Sequence, residues 1–272
     1  MSAELILQAT CKSPMLVGDC PEAESFDRSD LILSTNNGPL SLDQKLGHLY
    51  EDALQLILLA SARYELLEKN LQLQDGIHKT LGELDFLLRD RQTDELIHLE
   101  LAVKFYLAVE TSDGLQLPGP DARDNYFKKI ERLRTHQLVL TEKFRQHLPE
   151  KYRKETITSQ HLILGCLFAH ISVENPAQPK FLNPSARRGR WLRQSELPAH
   201  FPDRRIEVIP KPLWPVAIDH LASQHLRPFQ NESPLERCVM VKIEDHPKPV
   251  FVTPDAYPGG AYLTPQKKTP AP

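Results

Sequence analysis

The fold is decided by residues 96–109, which read LIHLELAVKFYLAV. Every odd-numbered position is apolar, whereas the even-numbered positions carry His98, Glu100 and Lys104. Glu100 and Lys104 have the spacing of a surface ion pair on a helix, but seven apolar residues at every second position would point all round a helix. A period of two is typical of a β-strand. We therefore predict a strand with one core face and one polar face that carries the chemistry.

A second alternating run precedes this strand. Leu84, Phe86 and Leu88 alternate with Glu83, Asp85 and Leu87. The polar residues 89–94 separate the two runs. Two alternating runs joined by a polar loop are typical of a β-hairpin. The hairpin over 83–109 would carry Asp85 on one strand, with Glu100 and Lys104 on the other.

Helices are predicted on both sides of the hairpin. Between about 42 and 66, apolar residues recur at i+3 and i+4, and Ser41 with Gln44 matches a capping box. A second helix is predicted from about 122 to 148, with Gln137 on its apolar stripe. The expected fold is α/β, a mixed β-sheet flanked by helices.

The second half of the chain has a different composition. Of the 23 prolines, 17 lie at or beyond Pro176, and short apolar runs at 161–171, 206–209, 237–243 and 250–253 alternate with Pro-rich turns. These runs predict strands. We divide the chain into an N-terminal extension (1–40, with a loop at 36–39), a core (41–150), a Pro-rich strand-containing half (151–253) and a disordered tail (254–272).

Charge and cysteine content limit the classes of function. The chain of 272 residues has 33 Lys and Arg against 36 Asp and Glu, a net charge of -3, which excludes a generally basic nucleic-acid coat but not a local basic groove. Its 4 cysteines form no C-x-x-C pair, and no signal peptide is evident, so we expect free thiols in the cytoplasm. The longest apolar runs, 56–60 and 162–171, are too short to span a membrane.

Metal-dependent hydrolysis of a phosphodiester needs groups of the kind that the hairpin carries. Mg²⁺ held by carboxylates stabilises charge on the phosphoryl group and generates hydroxide near neutral pH. Asp85 and Glu100, on adjacent strands, are candidate catalytic residues and metal ligands. Lys104 would position or activate the attacking water, or stabilise the developing charge.

Three segments resemble the PD-(D/E)XK, or restriction-endonuclease-like, nuclease superfamily. They read LGHLYEDA at 46–53, GELDF at 82–86 and HLELAVKF at 98–105. The resemblance covers about 42–140 and implies a restriction-endonuclease-like core, with Glu51 as a third acid at the metal. It implies a nuclease or related phosphodiesterase that uses Mg²⁺ or Mn²⁺ on DNA or RNA. Through ELAVKFYL at 100–107 and GRW at 189–191, the whole chain is also similar to an uncharacterised bacterial family built on this core.

One position departs from the superfamily pattern. The acid is expected two residues before the lysine, where this chain has Ala102, and Glu100 instead lies four residues before Lys104. In an extended strand this separates the two Cα atoms by about 13 Å rather than about 7 Å. A bulge or the reach of both side chains would bring the charged ends to one metal, whereas a decayed site would give the same pattern.

Candidate nucleic-acid contacts lie outside the hairpin. The second helix carries Lys129, Arg132 and Gln137, and a Gly-containing loop carries Arg187, Arg188, Arg190 and Trp191. Cations bind phosphates and an adjacent aromatic ring can stack on a base. The same residues also suit a solvated helix face and a tryptophan that anchors a loop. Two other classes of function therefore remain: a nucleic-acid-binding module without catalysis, and a protein-interaction scaffold.

Overall fold

The computed structural model describes residues 2–33, 39–76 and 79–259. In this part of the chain, ten strands form one mixed β-sheet. The helices are α1 (Ser2–Lys12), α2 (Leu46–Leu59), α3 (Tyr126–Arg132), α4 (Leu140–Lys143) and α5 (Leu197–His200). The strands are β1 (Glu24–Ser25), β2 (Tyr64–Gln74), β3 (Thr80–Asp90), β4 (Leu96–Leu107), β5 (Val109–Thr111), β6 (Gly114–Gln116), β7 (Ile157–His170), β8 (Arg188–Arg193), β9 (Ile206–Val208), β10 (Arg227–Pro228), β11 (Val239–Ile243) and β12 (Val250–Thr253). The order across the sheet is β10-β9-β11-β12-β8-β7-β4-β3-β2; β1 pairs with β7, and β5 with β6 forms a separate hairpin.

The predicted hairpin is confirmed. Strands β3 and β4 are antiparallel, with Phe86 opposite Leu99, and β2 adds a third antiparallel strand beside β3. The β3–β4 ladder ends at that pair, whereas β4 continues to Leu107 in parallel register with β7. Strands β3 and β4 therefore separate after Leu99, which opens the edge of β4 on the side of β3.

Both faces of β4 are covered, so the predicted polar face is packed against a second layer of side chains. Leu99 and Phe105 pack in the main core with α1 and α2, whereas Ala102 and Tyr106 pack with α3. The parallel connection from β4 to β7 requires a crossover, and this crossover lays α3 over the second face. His98 and Glu100 are buried for this reason, whereas Lys104 on the same face stays about one-third exposed.

The first predicted helix is too long. It begins at Leu46 and ends at Leu59, and the chain returns as β2 from Tyr64. The expected capping box is absent, because the Gln44 amide donates to the Ser41 carbonyl oxygen and Lys45 occupies the N-cap without a side-chain bond.

The second predicted helix, 122–148, is interrupted. It consists of α3, a π-helical turn over Leu133–Gln137, and the short α4. The N–H of Leu138 donates to the carbonyl oxygen of Leu133 at 2.9 Å, which adds one residue to the turn. Gln137 is the last residue of that π turn.

Strands in the Pro-rich half are confirmed as β7, β9, β11 and β12. The prediction of a loop over 187–193 is wrong, because Arg188–Arg193 forms β8 between β7 and β12, in parallel register with both. One sheet therefore contains strands from both the predicted core (41–150) and the Pro-rich half (151–253).

The two ends of the described chain are partly ordered. Residues 2–12, within the predicted N-terminal extension, form α1. Residues 254–259 of the expected disordered tail form a turn, in which the buried Tyr257 hydroxyl donates to the Gly119 carbonyl oxygen at 2.9 Å. The rest of that tail, 260–272, and the expected loop at 36–38 lie outside the described residues. In the described ranges, no helix combines the length and apolar character needed to cross a membrane.

Candidate active site

Asp85 lies where β3 and β4 separate. Its carboxylate accepts a hydrogen bond of 2.8 Å from the N–H of Leu101, in place of the backbone partner that β3 no longer supplies. Burial raises the pKa of Asp85 to about 8, and the negative charges of Glu100 and Glu51 act in the same direction. This carboxyl group is therefore half-buried and lies near the acidic side chains of Glu100 and Glu51.

Glu100 is held from two sides. It is 1% exposed, and His98, two residues before it on the same face of β4, contacts its Oε1 through Nε2 at 2.9 Å. The Gln137 amide donates to its other oxygen, Oε2, at 2.5 Å. Nδ1 of His98 has no hydrogen-bond partner among the described residues.

A lysine from α3 completes this network. Lys129 donates to the carbonyl oxygen of the Gln137 amide at 2.8 Å, which fixes the orientation of the amide toward Glu100. Burial lowers the pKa of Lys129, and the nearby charge of Lys104 acts in the same direction, while the charges of Glu100 and Asp85 oppose it. The hairpin and α3 thus bring two lysines and two carboxylates into one region.

Lys104 pairs with an acid that the sequence reasoning missed. Its ammonium donates to Oδ2 of Asp124 at 2.6 Å, and the Tyr106 hydroxyl donates to the same oxygen at 3.3 Å. The Lys104 and Asp124 side chains are 31% and 32% exposed, so this end of the network reaches solvent. One sequence signal was available, because Asp124 directly precedes Asn125, the residue whose side chain caps α3.

Glu51 approaches from the other side of the sheet. It lies on α2, its side chain is 15% exposed, and its Oε2 lies 3.4 Å from Nδ1 of His48. Its charge contributes to the raised pKa of Asp85. Glu51, Asp85 and Glu100 therefore lie near the point where β3 and β4 separate, whereas Lys104 lies further along β4 and pairs with Asp124.

The donor chemistry of this region suits a hard cation. Its acidic members offer oxygen only, and among the described residues no cationic side chain forms an ion pair with the half-buried Asp85. In the described ranges, no set of three or more His, Cys, Asp and Glu side chains is arranged to hold a metal. Mg²⁺ commonly uses one or two carboxylates and completes its shell with water and substrate phosphate. Asp85 and Glu100 supply two carboxylates, but both oxygens of Glu100 are already hydrogen-bonded within the protein.

The expected nucleic-acid contacts divide into two groups. Lys129 and Gln137 lie inside the network, whereas Arg132 is exposed on α3. The arginines around Trp191 hold the second half together: Arg187 donates to the carbonyl oxygens of Trp214 and Val216, Arg188 to that of Ala177, and Arg190 to that of Val173. Trp191 is 3% exposed and donates to the Ala108 carbonyl oxygen. A role of these residues in nucleic-acid binding stays a prediction.

A cavity of about 760 Å³ adjoins the network at Lys104; we name it the Trp214 cavity. Its wall is formed by the open edge of β4 at 103–105, the loop 119–124, and parts of the second half. The second half contributes Lys211, Trp214, Arg237 and Tyr257, among others. Sequence reasoning missed this site because its residues come from distant segments without a common motif.

The comparisons with known proteins identify a family but no activity. A family model described as a domain of unknown function, DUF1853, matches residues 23–252. No curated protein and no solved structure matches the chain.

Proposed function

Because this chain belongs to the DUF1853 family, whose description states no function, we propose an activity from the site alone: a metal-dependent nuclease or related phosphodiesterase that acts on DNA or RNA. The observation that carries the proposal is the position of Asp85. It is a half-buried carboxylate with a raised pKa, beside Glu100, where two strands separate and leave a strand edge open. Strongly perturbed carboxylates in such a place are typical of functional sites.

The residues present have separate roles in this proposal. Asp85 and Glu100 hold Mg²⁺ or Mn²⁺, with Glu51 as a further acid nearby. The ion, when bound, supplies Lewis-acid stabilisation of the phosphoryl oxygens and lowers the pKa of water. Lys104 stabilises charge that develops on the phosphate, and Asp124 positions the Lys104 ammonium. Lys129 and Gln137 hold Glu100 in its orientation.

The order of elements supports a restriction-endonuclease-like core. A helix with an acid (α2) precedes three antiparallel strands (β2, β3 and β4), a crossover helix (α3) and a strand parallel to β4 (β7). Within this unit, Asp85 lies on β3, and Glu100 with Lys104 lies on β4. We also propose that the protein works in the cytoplasm, since its four cysteines are free thiols.

The test is hydrolysis by the purified chain of 272 residues. We expect labelled DNA or RNA to be cut with Mg²⁺ or Mn²⁺ and to stay intact in EDTA. Asp85→Asn keeps an oxygen that can accept from the Leu101 N–H but removes the charge, so it should abolish both cutting and calorimetric Mn²⁺ binding. Glu83→Gln is the matched control, because Glu83 is an exposed carboxylate on the same strand.

A module without catalysis is the second candidate, and the environment of Glu100 favours it. Both carboxylate oxygens already accept hydrogen bonds from the protein, and the side chain is 1% exposed. Such a module would bind nucleic acid with a steep salt dependence and would not cut it. Binding without cutting, together with no Mn²⁺ binding, would reject the nuclease proposal in its favour.

A further inference from the structure

We propose that the Trp214 cavity is a nucleotide subsite, so that the substrate is a single-stranded segment of nucleic acid rather than intact duplex; this inference rests on the proposed function. The cavity volume of about 760 Å³ lies within the range of about 300–1,000 Å³ that is usual for small-ligand sites. It accommodates one nucleotide unit and excludes a paired duplex.

The cations of the cavity are available to a ligand. Arg123 and Arg237 line it and are exposed, and within the described part of the chain their guanidinium groups make no hydrogen bond or ion pair. Lys211 is also exposed, with its ammonium 5.7 Å from the centre of the Trp214 ring. These three differ from the arginines beside Trp191, which are engaged with backbone carbonyls.

Three carboxylates also line the cavity. Asp121 and Glu236 are exposed there, Asp121 accepts from the backbone N–H of Arg123, and Asp124 accepts from the Lys104 ammonium. A wall with both charged donors and carboxylate acceptors suits a ligand that has an anionic phosphate and also N–H donors. A nucleotide has both, since its base carries amino or imino N–H groups.

Trp214 provides a rigid aromatic surface. Its indole N–H donates to the Ile209 carbonyl oxygen at 3.0 Å, and the ring packs edge-on against Phe105 and Phe251 at 5.3 and 5.0 Å between centroids. The side chain is half-buried, so part of the ring remains accessible. Bases stack on such fixed rings with little dependence on sequence.

The location connects the cavity to the proposed chemistry. Lys104 lines the cavity and also belongs to the network with Asp124, near Lys129. A nucleotide held against Trp214 would therefore place a neighbouring phosphate beside Lys104. Substrate choice would follow from access, because a paired base cannot enter the cavity without leaving its helix.

The test measures binding by the chain of 272 residues in EDTA, so that it does not depend on cutting. Tryptophan fluorescence reports on the site, since the chain has 2 tryptophans and Trp191 is buried. We expect a thymidine decamer to quench the emission, and a duplex of equal length to leave it unchanged. Trp214→Phe should remove the signal. By fluorescence anisotropy, Lys211→Ala and Arg237→Ala should each raise the Kd for the decamer about tenfold.

The matched control is Arg227→Ala, an exposed arginine on β10 at the far edge of the sheet. Equal binding of duplex and single strand, or equal effects of Arg237→Ala and Arg227→Ala, would overturn the subsite. Competition by a short peptide but not by thymidine monophosphate would overturn it in favour of a peptide site. Selective single-strand binding without metal-dependent cutting would support the subsite and reject the nuclease proposal. Metal-dependent cutting at the same rate in the cavity variants would support the nuclease proposal and reject the subsite.

Discussion

Asp85 shows how a single carboxylate takes its properties from the fold. It accepts from the Leu101 N–H, yet burial and the charges of Glu100 and Glu51 outweigh this bond and raise its pKa to about 8. The sequence identified Asp85, Glu100 and Lys104 as chemistry-bearing residues from the period of the hairpin. It gave no sign that Lys104 would pair with Asp124, because that contact spans 20 positions and depends on the loop before α3.

Replacing Asp85 should make stability depend less on pH. The folded pKa of Asp85 is about 8 against an ordinary value of 3.8, so the folded state binds this proton more tightly than the unfolded chain. Its contribution to stability is full below the ordinary value and is lost as pH rises through about 8. We expect Asp85→Asn to be more stable than wild type at pH 9 by at least about 1 kcal/mol, and the difference to shrink toward pH 4. Urea denaturation across this range measures it; a difference independent of pH would contradict it.

Asp124→Asn tests whether the ion pair positions Lys104. The pair is about one-third exposed, so the stability loss should stay below about 1 kcal/mol, whereas we expect kcat for cutting to fall about tenfold with little change in KM. The matched control is Glu22→Gln, because the Glu22–Arg134 pair has the same 2.6 Å separation and similar exposure. Equal rates for the two variants would exclude a positioning role for Asp124.

His161 should make the protein sensitive to acid. It lies on β7 opposite Glu100, is fully buried, and neither ring nitrogen has a hydrogen-bond partner among the described residues. Burial lowers its pKa to about 4, with Asp19 opposing, so the unfolded chain binds this proton more tightly. Stability is therefore lost as pH falls from about 6.5 to about 4. His161→Leu should flatten that loss in urea denaturation, and His220→Leu, at an exposed position, should not.

At the scale of elements, local preference explains both the successes and the failures. Strands β3 and β4 were predictable because their apolar residues alternate. Strand β2 was not, since Glu65, Leu66, Leu67, Glu68 and Lys69 are good or neutral helix formers, and only pairing with β3 makes them extended. The register shift between Leu66 and Glu68 also obscures the alternation. The π turn before Leu138 has no sequence signal that we identified.

Close packing of β4 against β7 depends on Gly165. A Cβ at this position would lie 1.7 Å from the Lys104 carbonyl oxygen, which belongs to the backbone and cannot move aside. We expect Gly165→Ala to lose more than about 3 kcal/mol of stability or to fail to fold. Gly47→Ala is the control, because its nearest neighbour would be Glu51 Oε1 at 3.9 Å. Thermal denaturation compares the two; equal melting temperatures would contradict the expectation.

For the whole molecule, the mixed sheet was predicted, but the order of its strands was not. The α/β class and the strands of the Pro-rich half were predictable from composition and short apolar runs. Their order was not, because β7 pairs with β4 over a large sequence separation and β8 enters between β7 and β12. The main core accordingly combines residues from Ile6 to Tyr257.

A shared sheet and core predict one cooperative unfolding transition. We expect far-ultraviolet circular dichroism, which reports on the sheet, and tryptophan fluorescence, which reports on the second half, to give the same midpoint in urea. The fragment 41–150 should not fold alone, since β4 would lose its β7 neighbour and expose Leu101 and Phe105. Two separate midpoints, or a fragment with native-like amide dispersion in NMR spectra, would contradict this.

The parallel pairing of β4 with β7 also has a consequence for synthesis on the ribosome. Strand β4 ends at Leu107, but its neighbour β7 is complete only at His170. Translation at about 5–20 residues per second therefore leaves the edge of β4 that pairs with β7 unpaired for several seconds. During this interval an apolar strand is available to other nascent chains. We therefore expect the yield of native protein in cell-free synthesis to depend on chaperones and on translation speed through codons 108–170, and to be insensitive to speed after codon 253.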